Sequence, residues 1–213
     1  MSTDLPAESA FRVEPSEDVE LNASILEEVA AWVALEGLRA WRPGWFAYPD
    51  GPGIPRLRRD AESGSLYIAL LDDFAAASIS LLDNDPLYWP DAADDALYLH
   101  RFAVRRAAAG IGRLAVEWTI EESRRRGRAY VRLDCLADSP RICRYYESCG
   151  FTRIGDAKMD DVPLFLYERH ALGAPPWVDG SSELDIVGPN LQKGAVSGDG
   201  DPFSVTPVHG PEI

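Results

Sequence analysis

The chain has 213 residues, 46% of them hydrophobic and 26% charged, which is typical of one globular domain with or without a tail. Its net charge of −14 argues against a general nucleic-acid binder, which needs an excess of basic surface. The longest run of apolar and small residues, 74–82, is too short to span a bilayer, and the first residues resemble no secretory signal. Three cysteines without a CxxC pair indicate reduced thiols, so we expect a cytoplasmic protein without a membrane anchor.

Hydrophobic periodicity predicts both strands and helices along the first 170 residues. The predicted strands are 10–14, 65–71, 74–82, 97–104, 130–136, 151–155 and 162–170. The predicted helices start at Ser24, whose spacing to Glu27 fits a capping box, at Gly112, and at Pro140 after the N-cap Ser139. Hairpins alternate with strand–helix–strand units. The fold class is therefore α/β (α+β), with a mixed, mostly antiparallel central sheet flanked by helices.

The composition changes after residue 170. Residues 171–213 hold seven glycines and six prolines and show no sustained apolar period. Such a segment buries little surface, so we expect a domain over 1–170 and an extended, acidic C-terminal tail over 171–213.

Charge is distributed unevenly along the chain. Residues 101–151 carry a net charge of +5, between flanking segments of −13 and −6. An arginine-rich helix face exposed to solvent would explain this balance, as would a site for an anionic ligand. The acidic segments, especially 83–95, would attract a cationic partner.

A glycine pair follows the fourth predicted strand. Gly110 to Ala115 matches the dinucleotide pattern G-x-G-x-x-A, but five residues separate the strand from Gly110 and too few residues follow Asp134 for a dinucleotide fold. The alternative is a loop of small residues whose N–H groups, with the next helix N-terminus, hold a phosphate. Three nearby arginines favour this alternative: Arg105, Arg106 and Arg113.

Two motifs in this region resemble those of the GCN5-related N-acetyltransferase (GNAT) family. The family's acetyl-CoA loop, Q/R-x-x-G-x-G/A, falls on 107–112, with Ala107 in place of the usual Gln or Arg. Its later motif, Tyr-x-x-x-Gly-Phe, falls on 146–151, and Ser139 stands where an Asn is common. The resemblance extends in element order over about 11–170.

The resemblance implies acetyl-CoA as co-substrate and no metal. Its pyrophosphate would lie on the loop N–H groups, and its pantetheine arm would pair with the preceding strand. The coenzyme-binding residues expected from this are Phe102, Ala103, Val104, Ala109, Gly110, Ile111, Gly112, Arg113 and Ser139.

Two catalytic residues are expected. Tyr146 has the spacing of the family's general acid, and a phenol near pKa 10 can protonate a thiolate. His100 is the best candidate base, because imidazole titrates near neutrality. The segment 99–104 also resembles the strand of aralkylamine N-acetyltransferase that carries a proton-relaying histidine. Asp134, Asp72 and Asp73 are alternative bases.

Trp41 and Trp45 lie where family members shape the acceptor pocket, although aromatic residues there also serve in packing. We expect transfer of acetyl to a primary amine of a small, cationic acceptor by direct attack. A protein N-terminus or lysine is an alternative acceptor, and a catalytically silent acyl-CoA-binding module is an alternative function. The expected partners are acetyl-CoA and an amine, without nucleic acid or membrane, and a homodimer is a further option.

Overall fold

The computed structural model describes residues 10–37, 41–90, 95–159 and 161–172. Its strands are β1 (Phe11–Pro15), β2 (Leu66–Leu71), β3 (Phe74–Leu82), β4 (Ala96–Val104), β5 (Tyr130–Leu136), β6 (Thr152–Met159) and β7 (Val162–His170). Its helices are α1 (Val19–Leu35), α2 (Ile54–Glu62), α3 (Gly112–Arg125) and α4 (Pro140–Ser148), with a short 3₁₀ turn at Arg106–Ala108. Within these residues, no helix has the length and apolar composition needed to cross a membrane.

The strands form one sheet in the order β1-β2-β3-β4-β5-β7-β6. The β4–β5 pair is parallel, and the other neighbouring strands are antiparallel. This confirms the predicted mixed, mostly antiparallel sheet flanked by helices.

Two local predictions were wrong. Helix α1 begins at Val19, because the Asp18 side chain accepts a hydrogen bond from the Leu21 N–H at 2.8 Å and serves as the N-cap. Ser24 instead lies inside this helix and donates to the Leu21 carbonyl. Helix α2 was not predicted, since its nine residues contain five charged side chains and a proline. The predicted tail lies outside the described residues after Leu172.

A separate hydrophobic core lies on each face of the sheet. Helices α3 and α4 cover one core, to which β4 and β5 contribute Leu97, Leu99, Leu133 and Cys135. Helices α1 and α2 cover the other core, to which β4 contributes Ala103. Side chains alternate between the two faces along a strand. A residue that lies in one core therefore shows that the side chain of the next residue points to the other face.

Strands β4 and β5 separate after a short parallel contact. They pair over only three residues each, ending at Tyr98 and Arg132. Beyond that point β4 continues along β3, and β5 continues along β7. A bulge in β4 accompanies the divergence, with Arg101 at a φ of 45°. The sheet is therefore open along one edge of β4, and we call this opening the β4–β5 gap.

Candidate active site

His100 and Asp134 lie beside the β4–β5 gap on the α1/α2 face of the sheet. Each follows a residue whose side chain lies in the opposite core, Leu99 and Leu133 respectively. The His100 Nδ1 atom is 3.7 Å from Asp134 Oδ1, and both side chains are more than four-fifths buried. The divergence of the strands thus brings together two residues that sequence analysis named separately as candidate bases.

A third group, Asp85, joins this pair from the loop after β3. His100 Nε2 and Asp85 Oδ2 form a hydrogen bond of 3.1 Å, and the Asp85 side chain is 8% exposed. Asp85 was not predicted as a site residue, because Asp85 stands 15 residues before His100 in an acidic loop without a motif. The imidazole lies between the carboxylates and turns a different nitrogen toward each. Such an arrangement can pass a proton along the three groups, and one ligand atom from each residue lies within 4.8 Å of the others, as binding of a metal ion would also require.

The environment of Asp134 disfavours its charge. Burial raises the pKa of Asp134, and the nearby Asp85 raises it further, while His100 and Arg101 oppose this shift. Arg101 is itself held by α2, since its Nε donates to Asp60 Oδ2 at 2.7 Å and to Ser80 Oγ at 3.0 Å. A cation beside Asp134 would therefore stabilise its ionised carboxylate, which burial and Asp85 disfavour.

Tyr146 lies on α4 and packs against the α3/α4 core. Its ring contacts Tyr145 and Phe151 edge-on, at centroid distances of 5.3 and 5.8 Å. Burial is the main cause that raises its pKa, with further contributions from Cys135 and Asp134. The phenol therefore keeps its proton at neutral pH. Its packing against the α3/α4 core puts Tyr146 on the sheet face opposite His100.

The neighbouring Tyr145 points elsewhere. A Cβ added to Gly112 would lie 2.8 Å from the Tyr145 hydroxyl, so this hydroxyl fills the space beneath the start of α3. The hydroxyl is buried and makes no hydrogen bond within the described residues. Burial, with the adjacent Cys149 thiol, raises its pKa. The two adjacent tyrosines therefore differ in position, as the motif spacing indicates.

The glycine loop leads directly into α3. The N–H groups of Ala109 and Ile111 are already used, since they donate to the carbonyls of Arg106 and Ala108. Ile111 precedes the helix and makes no side-chain cap hydrogen bond, so no cap from Ile111 covers the start of α3. Gly110 has a φ of 110°, which L-residues rarely adopt. An anion would thus meet an uncapped helix start.

The remaining coenzyme-binding candidates surround the same opening. Phe102 and Val104 pack partly buried against the α3/α4 core, while Ala103 is buried in the other. Ser139 precedes α4 as expected, but its side chain makes no capping bond and is buried. All three β4 residues lie beyond Tyr98, on the part of β4 that β5 does not pair with.

The loop arginines also bind protein groups. Arg105 lies 3.3 Å from Glu28 and donates to Ser24 at 2.9 Å, both on α1. Arg106 stacks over the Trp32 ring at 5.2 Å, and Arg113 donates to Ser148 at 3.2 Å. Arg105 and Arg106 thus attach the loop to α1, and Arg113 attaches it to α4.

Trp41 and Trp45 differ in exposure. Trp41 packs against the α1/α2 core and meets Phe46 edge-on at 5.5 Å, whereas Trp45 is 37% exposed. Of this pair, Trp45 offers more surface to a ligand.

Asp72 and Asp73 lie in the β2–β3 turn and bind the β1 region, through the Ala10 N–H and the Arg12 side chain respectively. The structure does not bring these two carboxylates to His100 or Tyr146.

Comparison with known proteins gives consistent matches. Residues 28–151 match the model of the acetyltransferase (GNAT) family. An uncharacterized N-acetyltransferase of Bacillus subtilis, YesJ, is 27% identical over 146 residues, which are 65% of this chain and 79% of that protein.

Solved structures with a similar fold include two acetyltransferases. A GNAT acetyltransferase from Listeria monocytogenes has a TM-score of 0.61 at 22% identity, covering 75% of this chain and 94% of its own. YncA from Salmonella typhimurium, a putative acetyltransferase solved with acetyl-CoA, has a TM-score of 0.53 at 17% identity, covering 78% of this chain and 98% of its own.

Proposed function

The chain belongs to the GNAT acetyltransferase family and is an acyl-CoA-dependent acyltransferase, and we propose that it acetylates a primary amine of a small cationic acceptor by direct attack on acetyl-CoA. The observation that supports this proposal is that the proposed base and the proposed acid lie on opposite faces of the sheet. His100 lies on the α1/α2 face, and Tyr146 approaches from the α3/α4 face. A thioester held in the gap would have a base on one side and an acid on the other.

The gap and the loop beside it support binding of the coenzyme. Within the described residues, the part of β4 beyond Tyr98 has no partner strand on its β5 side, which favours pairing of its backbone with an extended ligand. The pantetheine arm supplies amide groups that pair in this manner. Phosphates would meet the N-terminus of α3, where Ile111 provides no side-chain cap. Gly112 makes room for the Tyr145 hydroxyl beneath this helix start.

The reaction needs three proton transfers. A protonated acceptor amine gives a proton to His100, and its nitrogen lone pair then attacks the thioester carbonyl carbon. When the carbon–sulfur bond breaks, the Tyr146 hydroxyl supplies the proton that the leaving thiolate takes up. The new amide nitrogen loses its second proton, which restores the Tyr146 hydroxyl, and His100 releases its own proton to solvent. The products are the N-acetylated amine, coenzyme A with a free thiol, and one proton returned to solvent. No acyl-enzyme is formed, and the buried Cys135, whose pKa is raised by burial, is not a nucleophile in this scheme.

The acceptor class follows from charge. Two carboxylates, Asp85 and Asp134, flank the proposed base, and the chain as a whole carries −14. A cationic amine is attracted to such a site, whereas an anionic acceptor is repelled. Trp45 offers an exposed aromatic surface for the remainder of a small acceptor.

The test is thiol release from acetyl-CoA with a panel of amines that includes diamines, arylalkylamines, aminoglycosides, lysine peptides and peptides with free N-termini. Turnover should be largest with a small cationic amine. Acetyl-CoA should also raise the melting temperature, because it binds the native state, and NADH should not. Binding without turnover would show a silent module, and preference for peptides would replace the small acceptor by a protein.

A further inference from the structure

The contacts of His100 determine which of its nitrogens carries the proton. Asp85 presents an acceptor oxygen 3.1 Å from Nε2, the distance of a hydrogen bond. An ionised carboxylate only accepts, so Nε2 must donate. The neutral imidazole has one N–H, and Nδ1 is therefore left with its lone pair.

The unprotonated nitrogen faces a second acceptor. Nδ1 lies 3.7 Å from Asp134 Oδ1, beyond hydrogen-bond distance, and the two atoms meet as a pair of acceptors. One ammonium group can satisfy both atoms. With hydrogen bonds of about 2.9 Å to each, the angle at its nitrogen is about 80°, close enough to tetrahedral for two bent N–H donors.

We infer that Nδ1 of His100 and Oδ1 of Asp134 together seat the ammonium group of the acceptor, and that Asp85 is a positioning residue that fixes the imidazole tautomer for this purpose. The inference rests on the proposed function and narrows the acceptor to alkyl primary amines that are protonated at neutral pH. Aromatic amines, which are neutral there, gain nothing from the paired acceptors. The proton passes from the ammonium nitrogen to Nδ1, and rotation about the carbon–nitrogen bond turns the lone pair toward the thioester.

The surroundings favour Asp85 over other acidic residues of its loop. Asp83 lies 3.3 Å from Arg128, and Asp95 lies 3.3 Å from Arg132, so these carboxylates are paired with arginines. Asp85 turns to His100 instead.

The charged and titratable groups around the imidazole come from three elements. Asp85 lies on the loop after β3, Asp134 on β5 and Arg101 on β4. Arg101 is paired with Asp60. The two aspartates are therefore the charges that respond most strongly to a proton on His100.

The test is Asp85→Asn in the full chain, with Asp83→Asn as the matched control two residues earlier in the same loop. Asp85→Asn should lower kcat/KM for an alkylamine about 10- to 100-fold and leave the acetyl-CoA Kd within about twofold. The ascending limb of the pH profile of kcat/KM should also change, because the proposed base loses a flanking carboxylate. Asp83→Asn should keep the wild-type profile.

A second measurement does not depend on turnover. The chain has three histidines, so two-bond ¹H–¹⁵N spectra can resolve the His100 ring at a pH where it is neutral. The wild type should show the Nε2–H tautomer, and Asp85→Asn should lose that preference.

An Nδ1–H tautomer in the wild type, or an unchanged pH limb in a folded, active Asp85→Asn enzyme, would overturn the role of Asp85. Equal efficiency with anilines and alkylamines would overturn the ammonium seat. Absence of wild-type turnover with every amine would instead contradict the proposed function.

Discussion

Replacing Tyr146 by Phe removes the proposed acid and little else. The ring contacts with Tyr145 and Phe151 remain, so folding and acetyl-CoA affinity should change little. If the hydroxyl protonates the leaving thiolate, turnover should fall by about 10²–10⁴, the usual contribution of a positioned proton donor. At about 1.4 kcal/mol for each tenfold, this corresponds to about 3–5 kcal/mol of barrier.

Tyr145→Phe is the matched control. It makes the same change one residue earlier, at a hydroxyl that lies beneath Gly112 and has no hydrogen bond within the described residues. Removing a buried hydroxyl that has no partner costs nothing and relieves its desolvation, so stability should stay level or rise by about 1 kcal/mol. Turnover should stay within about threefold of the wild type.

The assay is steady-state thiol release at saturating acetyl-CoA, with coenzyme affinity measured separately by calorimetry. A Tyr146→Phe enzyme within about threefold of wild-type turnover would refute the acid assignment. Equal losses in both variants would show that the pair acts through packing on α4.

Three further outcomes are expected. Gly110→Ala forces a side chain onto a φ of 110°, so it should cost about 1–3 kcal/mol in chemical denaturation and weaken acetyl-CoA binding; normal affinity would remove the loop from the coenzyme site. Hydrogen bonds from Arg125 and then Arg126 lower the pKa of Glu122 from its ordinary value of 4.5. A carboxylate with a lower pKa in the folded state than in the unfolded state stabilises the fold at pH values above its unfolded pKa. This stabilisation is lost as the pH falls through its folded pKa. Glu122→Gln should therefore lower the melting temperature at pH 7 and have little effect near pH 2; an equal loss at both would point to packing. Truncation after about residue 176 should leave a folded, acetyl-CoA-binding domain, and loss of soluble expression would show that the tail covers the domain.

The sequence predicted helix ends best where glycine or proline restricts the backbone conformation. Gly127, with a φ of 69°, ends α3 close to the predicted residue, and Pro140 begins α4 at the predicted one. The β2–β3 hairpin also follows the prediction, because two apolar runs meet at two aspartates.

Predictions from local sequence patterns were wrong or missing where a contact between distant residues determines the role of a side chain. The Ser24–Glu27 spacing fits a capping box, yet Glu27 accepts hydrogen bonds from the Gly44 and Phe46 N–H groups in the loop after α1. Asp85 has no local signal at all, since its role comes from a contact with His100 that forms only when β3, β4 and β5 are assembled. The sequence thus named His100 and Asp134 as separate candidates and pointed to the acidic segment 83–95, but it did not predict that Asp85 of this segment contacts His100.

The short contact between β4 and β5 has a consequence for cooperativity. Along the backbone, three residue pairs join the β1–β4 half of the sheet to the β5–β7 half, compared with five between β3 and β4 and seven between β5 and β7, although both halves pack on the α3/α4 core. Two well-paired units with a narrow junction tend to open separately, so amide exchange in the free enzyme should report two protection levels. A ligand that bridges the halves converts them into one unfolding unit. Binding of substrate would then raise amide protection in both halves of the sheet together.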